Sequence, residues 1–460
     1  MSDLQQQARE HLWLHFTRMG GTDEIPIIVR GEGCYLEDSN GKRYLDALAG
    51  LFAVNIGYSF GDEVGQAAHE QMKELPFYTN WSYAHPRAIE LAAAVAELAP
   101  GDLNRVFFCS GGSEAVESAW KLARQHYAAR KEPQRRWKAI ARTIAYHGTT
   151  MGALSINGIP ALRAPFEPLV PDVAHVRNTN RYHRPKEESE EQFTALLLED
   201  LELRIKALGP ETVAMVMMEP VQNAGGAFTP PAGYWAGVRE LCDRYDILLC
   251  ADEVITGFGR LGSWFASERY AIRPDLITMA KGLSSAYAAI GGVVATDRVM
   301  EPFLQGSSMY THGITFGGHP VMCAIALKNI EIMKRERIVE HVKEHEDMAR
   351  ATLSQLLELP IAGDLRGTGF FYALELVKDK ETRETFTREE SEWLLRGFLS
   401  KRLFEAGLIC RADDRGDPVI QLSPPLVAGQ EEFDRIASIL GDVLTEAWAK
   451  LSAKRVLAKS

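Results

Sequence analysis

The fold is decided by two short stretches of sequence, ILLCADEV at residues 247–254 and LITMAKG at residues 276–282. Each stretch starts with an apolar run of strand length and then reaches a charged side chain, Asp252 in the first and Lys281 in the second. Near-continuous apolar runs are typical of strands in a parallel sheet that is buried on both faces. Because open parallel sheets bind ligands beyond the carboxyl ends of their strands, both side chains are predicted to lie at one binding edge.

The remainder of the chain favours the same α/β class. Apolar runs at residues 105–109 and 213–218 indicate two further buried strands, and helical patterns alternate with such runs after about residue 65. With 460 residues, the chain is long enough for more than one packed unit. We therefore predict a large α/β domain over residues 66–320 and a smaller mixed α+β domain over residues 321–460, to which the N-terminal segment 1–65 contributes.

Two local patterns in the N-terminal segment predict secondary structure outside the main sheet. Apolar residues recur at helical spacing over residues 5–18, and Leu12, Trp13 and Phe16 fall near one face, which predicts a docked helix. Farther along, Asn40-Gly41 separates two strand-like runs. An Asn-Gly pair in that setting is a strong signal for a β-hairpin.

Composition and charge exclude several classes of protein. The formal net charge is −11, which argues against nucleic acid as a partner. The six cysteines are scattered without metal-ligand spacing, so we expect reduced thiols and no metal. No apolar run approaches the ~20 residues that span a bilayer, and we expect no membrane association and a cytoplasmic location. The charged stretch at residues 183–192 is expected to be a solvated loop or helix start.

A glycine-rich turn is the first candidate for a ligand site. Ser110, Gly111, Gly112 and Ser113 follow an apolar strand and lead into a helical pattern. Glycines let backbone N–H groups approach an anion, and the start of a helix favours negative charge. The turn is therefore predicted to bind a phosphate, although such turns are often only structural and this one matches neither common nucleotide-binding spacing.

Asp252 and Lys281 carry the chemistry that this edge can perform. A lysine at a strand end is partly desolvated, which lowers its pKa and makes the amine nucleophilic, as imine chemistry requires. A carboxylate beside a pyridine nitrogen keeps the ring protonated and strengthens it as an electron acceptor. Taken singly, such a lysine is more often a surface residue, and such an aspartate is a helix cap about as often as it is functional.

Two further groups fall after strands of the same predicted sheet. Tyr146, followed by His147, offers an aromatic ring that can stack on a planar cofactor, and Glu219 adds a carboxylate. Each of these residues also fits a packing or capping role. It is nevertheless improbable that chance alone would place four such groups at one edge of the sheet: a phosphate turn, a stacking ring, a carboxylate and an amine.

At these residues the chain resembles the class III aminotransferases of pyridoxal-phosphate (PLP) fold type I over nearly its whole length. The resemblance rests on short motifs spread along the sequence: GGSEA at 111–115, YHG at 146–148, EP at 219–220, ADEV at 251–254, GFGR at 257–260, AKG at 280–282 and GHP at 318–320. It implies a large domain with a mostly parallel, seven-stranded type of sheet. It also implies a ping-pong transamination in which PLP is held as a Schiff base.

The resemblance assigns a role to each matching residue. Lys281 and Asp252 are the implied catalytic residues. The implied cofactor-binding residues are Gly111, Gly112, Ser113, Tyr146, His147, Glu219, Asp252, Val254, Lys281 and Thr315. Tyr146 and Val254 would hold the ring from opposite faces, and Glu219 would support its hydrogen bonds. The family also forms homodimers or larger assemblies with active sites between subunits, so Thr315 would reach the neighbour's cofactor.

Within the class, the chain is similar to the ω-amine:pyruvate aminotransferases. Residues 49–58 and 409–412 carry this similarity. It implies a primary amine or ω-amino compound as donor and a keto acid as acceptor. The implied substrate-binding residues are Leu51, Phe52, Tyr146 and Arg411.

Three positions bear on the choice of substrate. Arg411 matches the mobile arginine that binds the keto-acid carboxylate in the family. Arg415 is the alternative, because the extra charged residues in this loop leave its alignment with the family undecided. Phe52 stands where many relatives have Trp, which leaves the shape of the amine pocket undecided. Ile255 stands where enzymes acting on ornithine or 4-aminobutyrate usually have Gln, which argues against those donors.

Three other functions compete with this interpretation. A PLP enzyme of the same fold with another outcome, such as an aminomutase or a decarboxylating transaminase, is the nearest. A nucleotide-binding oxidoreductase would use the Gly111-Gly112 turn, but the dinucleotide spacing is absent from the sequence. A non-catalytic interaction protein would leave Lys281 without a role.

Overall fold

A computed structural model describes residues 3–20, 24–131, 135–306, 308–413 and 415–459 of the chain. The strands are β1 Ile28–Glu32, β2 Tyr35–Asp38, β3 Arg43–Asp46, β4 Leu103–Cys109, β5 Lys138–Arg142, β6 Val173–Val176, β7 Val213–Met218, β8 Leu248–Asp252, β9 Leu276–Met279, β10 Gly291–Thr296, β11 Ala362–Thr368, β12 Phe371–Leu376, β13 Leu408–Ile409, β14 Arg411–Asp413 and β15 Val419–Leu422.

Helices cover these strands. They are α1 Asp3–His11, α2 Ala49–Phe52, α3 Gly61–Glu74, α4 Pro86–Leu98, α5 Gly112–Ala129, α6 Met151–Ile156, α7 Pro160–Arg163, α8 Glu190–Leu208, α9 Tyr234–Arg244, α10 Ala266–Arg269, α11 Asp297–Leu304, α12 Pro320–Arg335, α13 Ile338–Ser354, α14 Arg388–Glu392, α15 Ser400–Glu405 and α16 Gln430–Lys459. Among the described residues, no helix is both long enough and apolar enough to cross a membrane.

The central sheet has seven strands in the order β4-β10-β9-β8-β7-β5-β6. Strand β10 runs antiparallel to both of its neighbours, whereas the pairs from β9 to β6 are parallel. Every residue of β7, β8 and β9 is buried, as expected for strands that helices cover on both faces. The α/β class and the mostly parallel sheet are confirmed.

The four predicted strands are all present, but three strands of the sheet were not predicted. Strand β5 reads KAIAR, β6 reads VAHV and β10 reads GGVVAT. Each is short or interrupted by a polar residue or by glycine, so its own sequence gives a weak strand signal. Pairing with buried neighbours, rather than local propensity, determines these strands.

Two four-stranded sheets flank the central one, in the orders β1-β2-β3-β13 and β11-β12-β15-β14. The predicted hairpin is present as β2 and β3, and Gly41 has a φ of 78°, which glycine adopts without strain. Strand β13 pairs parallel with β3 and so joins the N-terminal segment to the last part of the chain. The domain limits at residues 65 and 320 remain predictions.

The predicted docked helix over residues 5–18 is wrong in its length and its packing. Helix α1 ends at His11, and Phe16 has a φ of 52°, outside the right-handed helical range. Leu12, Trp13 and Phe16 are exposed. The anchor is instead Gln5, whose amide exchanges hydrogen bonds with the backbone of Ile25. Helical spacing alone does not show whether a face is buried. Within the described chain, no other element covers the face formed by Leu12, Trp13 and Phe16.

Arg260 links three separate segments of the fold. Its guanidinium is fully buried and donates to the backbone oxygens of Phe370 and Pro424 and to Asn55 Oδ1, the last at 2.9 Å. Burial lowers the pKa of Arg260 to about 9, although Asp46 opposes this shift. The last residue of the GFGR motif is therefore a structural connection between the N-terminal segment, the central region and the C-terminal strands.

We expect Arg260→Ala to lower the free energy of unfolding by about 3 kcal/mol or more, because buried acceptors lose their donors at ~1–3 kcal/mol each. The thermal unfolding midpoint of the purified variant measures the effect. Arg204→Ala, at an exposed position of α8, is the control and should change stability by no more than about 0.5 kcal/mol. An unchanged midpoint for Arg260→Ala would show that the connection is dispensable.

Candidate active site

A cavity of about 200 Å³ lies at the carboxyl ends of β7, β8 and β9. It collects side chains from segments that are far apart in the sequence. The cavity is lined by Leu51, Gly112, Ser113, Tyr146, His147, Gly148, Glu219, Val221, Asn223, Asp252, Val254, Ile255, Thr256 and Lys281. The predicted binding edge of the sheet is therefore a real concave site.

Lys281 follows β9 by two residues and extends into this cavity. Its Nζ lies 5.6 Å from the centroid of the Phe52 ring. Burial lowers the pKa of Lys281 to about 8; Asp252 opposes the shift, whereas Arg411 and Arg415 add to it. A substantial fraction of the amine is consequently neutral and nucleophilic near pH 8.

Asp252 is the last residue of β8 and is held by three hydrogen bonds. Its Oδ1 accepts from the Thr278 hydroxyl at 3.0 Å and from the Val254 N–H at 3.2 Å. Its Oδ2 lies 2.6 Å from His147 Nδ1. An ionised carboxylate only accepts, so Nδ1 carries the hydrogen. Thr278 faces Asp252 across the β8–β9 pair, and the lone Thr in the apolar run was the overlooked signal of this contact.

A network of buried side chains with alternating charge extends from Asp252 into the interior of the protein. The Arg142 guanidinium donates to the backbone oxygen of Glu219 and lies 3.3 Å from Glu219 Oε2. Glu219 Oε2 lies 4.0 Å from His147 Nε2. Burial lowers the pKa of His147, but Glu219 and Asp252 together outweigh burial and raise it. Arg142 was missed because it ends β5, a strand that was not predicted.

The glycine-rich turn has free backbone donors and a closely packed glycine. Helix α5 begins at Gly112, and no side chain caps its first turn, so N–H groups there remain available. A Cβ on Gly112 would lie 2.9 Å from Val254 Cγ1, so only glycine lets the turn approach Val254 this closely. Ser113 Oγ accepts from the Thr149 N–H at 3.0 Å, which fixes the side chain at the cavity wall.

Three of four residues that the sequence predicted for the site line the cavity, and the fourth, Phe52, lies beside Lys281. Tyr146 and Val254 both line it, and Leu51 lines it while remaining exposed. Phe52 is buried and does not belong to the lining; its ring packs edge-on against Phe371 and lies beside the Lys281 amine. Phe52 therefore contacts the lysine rather than the open volume of the cavity.

The two candidate arginines share one carboxylate at the edge of the site. Arg411 Nε lies 3.4 Å from Asp413 Oδ2, and Arg415 Nε lies 3.8 Å from Asp413 Oδ1. The Arg415 guanidinium also lies over the Tyr146 ring, 5.1 Å from its centroid. Neither arginine lines the cavity, yet both shift the pKa of Lys281 downwards, so both lie within electrostatic reach of the amine.

Thr315 is exposed and lies outside the cavity of its own chain. The surface near it in the sequence and fold carries large exposed apolar side chains: Phe77, Tyr78, Trp81, Tyr83, Met309 and Phe316. Clustered apolar side chains on a surface are typical of a protein–protein interface.

Asn223 and Asn157 were not singled out from the sequence. Asn223 lines the cavity, and its Oδ1 has no hydrogen-bond partner among the described residues. Asn157 Oδ1 accepts from the backbone N–H of His147 and so helps to position that ring. Asn157 directly follows α6, and Asn223 follows β7 by a short loop; sequence patterns do not predict such tertiary contacts.

Comparisons with known proteins agree over nearly the full length. The sequence model of the family described as aminotransferase class-III matches residues 19–444. A probable aminotransferase of Mycobacterium tuberculosis is 52% identical, covering 96% of this chain and 94% of that protein. A putrescine–pyruvate aminotransferase of Pseudomonas aeruginosa is 41% identical, covering 97% and 96%.

Solved structures give the same result. An (S)-enantioselective ω-transaminase from Thermomicrobium roseum superimposes with a TM-score of 0.92 at 38% identity, covering 96% of this chain and 98% of that one. The ω-transaminase of Pseudomonas jessenii in complex with PMP gives 0.91 at 34% identity, covering 97% and 98%. Sequence, fold and the cavity at the sheet edge thus agree, and the chain belongs to the class III aminotransferases.

Proposed function

We propose that this aminotransferase uses PLP to move the amino group of a primary amine or ω-amino compound to a keto acid, with pyruvate as the first candidate acceptor. The observation that carries the proposal is the amine of Lys281 in one small cavity with the carboxylate of Asp252. The name of the putrescine–pyruvate relative supports the choice of donor and acceptor. An aminomutase or a decarboxylating transaminase of the same fold is the alternative: an aminomutase turns over without a second keto acid, and a decarboxylating transaminase releases CO2 from its donor.

The residues present fit PLP. The uncapped N–H groups at Gly112 and Ser113 suit a phosphate. Tyr146 and Val254 offer an aromatic and an aliphatic surface for a flat ring. Glu219 Oε1 and Asn223 Oδ1 are buried without a hydrogen-bond partner among the described residues, and both residues line the cavity, so polar capacity remains for a ligand.

When bound, PLP supplies an aldehyde carbon that takes up the amino group and a pyridine ring that accepts electrons. Lys281 Nζ, with its lowered pKa, would act as the base that removes a proton from the amine-bearing carbon of the substrate and delivers it to the carbon that PLP supplies on the other side of the nitrogen. Asp252, oriented by Thr278 and His147, holds the proton on the ring nitrogen. Arg411 or Arg415 binds the keto-acid carboxylate and turns away for a carboxylate-free amine.

Assembly completes the proposed site. We infer a homodimer or a larger assembly in which the apolar surface around Thr315 meets a second copy of the chain. Thr315 would then contribute to the cofactor site of its neighbour. The exposure of Thr315, together with Trp81, Met309 and Phe316 nearby, supports this arrangement.

Lys281→Ala is expected to abolish transamination while the cofactor still binds through the phosphate turn, because the attacking and proton-carrying amine is missing. The half-reaction rate with an amine donor and the absorbance spectrum of the bound cofactor measure the two effects. Lys206→Ala, an exposed lysine on α8, should leave both unchanged. Steady-state transamination near the wild-type rate in Lys281→Ala would contradict the assignment.

Asp252→Asn is expected to lower the half-reaction rate by several orders of magnitude with the fold intact, because a neutral partner cannot hold the ring nitrogen protonated. Thr278→Val removes one hydrogen bond to the same carboxylate, at a cost of about 1 kcal/mol, and should slow the reaction less than ~10-fold. Stopped-flow rates of both variants provide the comparison. A loss below ~10-fold in Asp252→Asn, about 1.4 kcal/mol of barrier, would mean that the pairing is misassigned.

Arg411→Ala is expected to raise the apparent KM for pyruvate by ~10-fold or more, the loss of a charge-assisted hydrogen bond of roughly 1.5–3 kcal/mol. The half-reaction with a carboxylate-free amine should stay within ~3-fold, since that substrate makes no such contact. Arg415→Ala is the matched comparison, because Asp413 contacts both side chains. A selective effect in Arg415→Ala alone would move the role to Arg415, and equal loss in both half-reactions would make Arg411 structural.

A further inference from the structure

A second cavity lies away from the active site, between the segment that follows β6 and strand β11. Its volume is about 320 Å³, and it shares no lining residue with the active-site cavity. One acidic side chain, Asp364, lines it. Six basic side chains surround that acid: Arg181, Arg184, Lys186, Arg350, Arg366 and Arg383.

Two of the six cations are neutralised by carboxylates. Arg181 pairs with Glu190 at 2.9 Å. Arg366 pairs with Asp364 at 3.2 Å and with Glu375. The single acid of the lining is therefore already engaged.

The other four cations form no ion pair within the described residues. The Lys186 amine donates to the Glu381 carbonyl oxygen at 2.6 Å, and Arg350 donates to the Gly367 carbonyl oxygen at 2.6 Å. Arg383 donates to the carbonyl oxygens of Tyr182 and Arg184. Backbone oxygens satisfy some donors but neutralise no charge, so the cavity retains a positive field.

Acids near the cavity offset part of this field: Asp379 interacts with Lys186 and Glu191 with Arg184, although neither forms an ion pair within the described residues. Buried Glu375 contacts both Arg366 and His183, and His183 Nε2 lies 3.2 Å from Asp417. Hydrogen bonds to Asp417 and Glu375 raise the pKa of His183 to about 9, so the ring is charged near neutral pH. Arg366 and His183 thus face three carboxylates, Asp364, Glu375 and Asp417, so this cluster carries one net negative charge and offsets part of the field of the other four cations. His183 is exposed and lies in the loop before α8, as expected for the charged stretch 183–192; only its contact with buried Glu375 was not predicted.

Unpartnered polar atoms also point to a ligand in the cavity. Thr179 lines it and is only 1% exposed, yet its Oγ1 has no hydrogen-bond partner among the described residues. The hydroxyl oxygen of Tyr182, another lining residue, is likewise buried without a partner. Buried hydroxyl groups are costly unless they are hydrogen-bonded.

We propose that this cavity binds a small polyanion that carries at least two phosphate or carboxylate groups. Arginine side chains bind phosphate and carboxylate groups in a bidentate manner. Four cations that form no ion pair within the described residues favour a ligand with more than one negative charge. Thr179 and Tyr182 supply neutral hydrogen bonds. The inference does not depend on the proposed amine or keto acid, because the two cavities share no residues.

Calorimetric titration of the holoenzyme at fixed ionic strength tests the proposal with two probes, pyrophosphate and citrate. Saturating the enzyme with PLP beforehand fills the phosphate turn of the active site, so that heat reports on another site. We expect saturable binding of one probe or both, with the preferred probe identifying the phosphate or carboxylate class. Absence of saturable heat from both probes at millimolar concentration, or release of PLP on their addition, would overturn the proposal.

Variants assign the binding to this cavity. The double variant Arg184→Gln with Lys186→Gln should weaken binding by ~10-fold or more, the loss of charge-assisted contacts. Thr179→Val, which preserves shape and charge, should weaken it by a smaller but measurable factor. Arg204→Gln removes one positive charge at an exposed position of α8 and should leave the affinity for the probe unchanged. Equal weakening by Arg204→Gln, or no weakening by the other variants, would contradict the assignment. Amine half-reaction rates should not change in any of them.

Discussion

The burial of an amine next to a carboxylate at the ends of two adjacent parallel strands is the constraint on which the rest of the site depends. Asp252 closes β8, and Lys281 follows β9, whose Thr278 lies opposite Asp252. A charged lysine is costly to bury without a partner. Here burial and three nearby arginines, Arg411, Arg260 and Arg415, favour the neutral amine, while Asp252 limits the shift and leaves the pKa at about 8. Both the neutral and the charged form of the Lys281 amine are therefore populated near pH 8. This suits a group that must act as a nucleophile and also transfer protons.

The carboxylate in turn requires support from behind. His147, Glu219 and Arg142 continue from Asp252 into the core as groups of alternating charge. Such an arrangement spreads the cost of buried charge over several hydrogen bonds, and removing one member leaves the next without compensation. Arg260 forms no ion pair within the described residues and instead donates to two backbone oxygens and to Asn55, with Asp46 near enough to favour its charged form. Asp252 and Lys281 are therefore surrounded by a buried, hydrogen-bonded polar network rather than by loops alone.

Patterns that act locally could be predicted from the sequence, whereas contacts made by distant segments could not. The apolar runs before Asp252 and Lys281 and the glycine turn before α5 carry their own signals, and all three fall at one edge of the sheet. Strand β10 begins with two glycines and becomes a strand only because β4 and β9 lie on either side. The exposed Trp13 and Phe16 show the opposite case, in which the described part of the chain offers no surface that covers a helical pattern. The basic cavity has no motif at all, because its cations come from positions between 181 and 383.

The central claim is that Lys281 is the residue that bonds to the cofactor. The most direct measurement treats the PLP-loaded enzyme with sodium borohydride, which makes a bond between a lysine and the cofactor permanent, and then maps the labelled peptide by mass spectrometry. Our account predicts one labelled peptide with the cofactor on Lys281. A label on another lysine, or a PLP-loaded active enzyme that yields no labelled lysine, would contradict it.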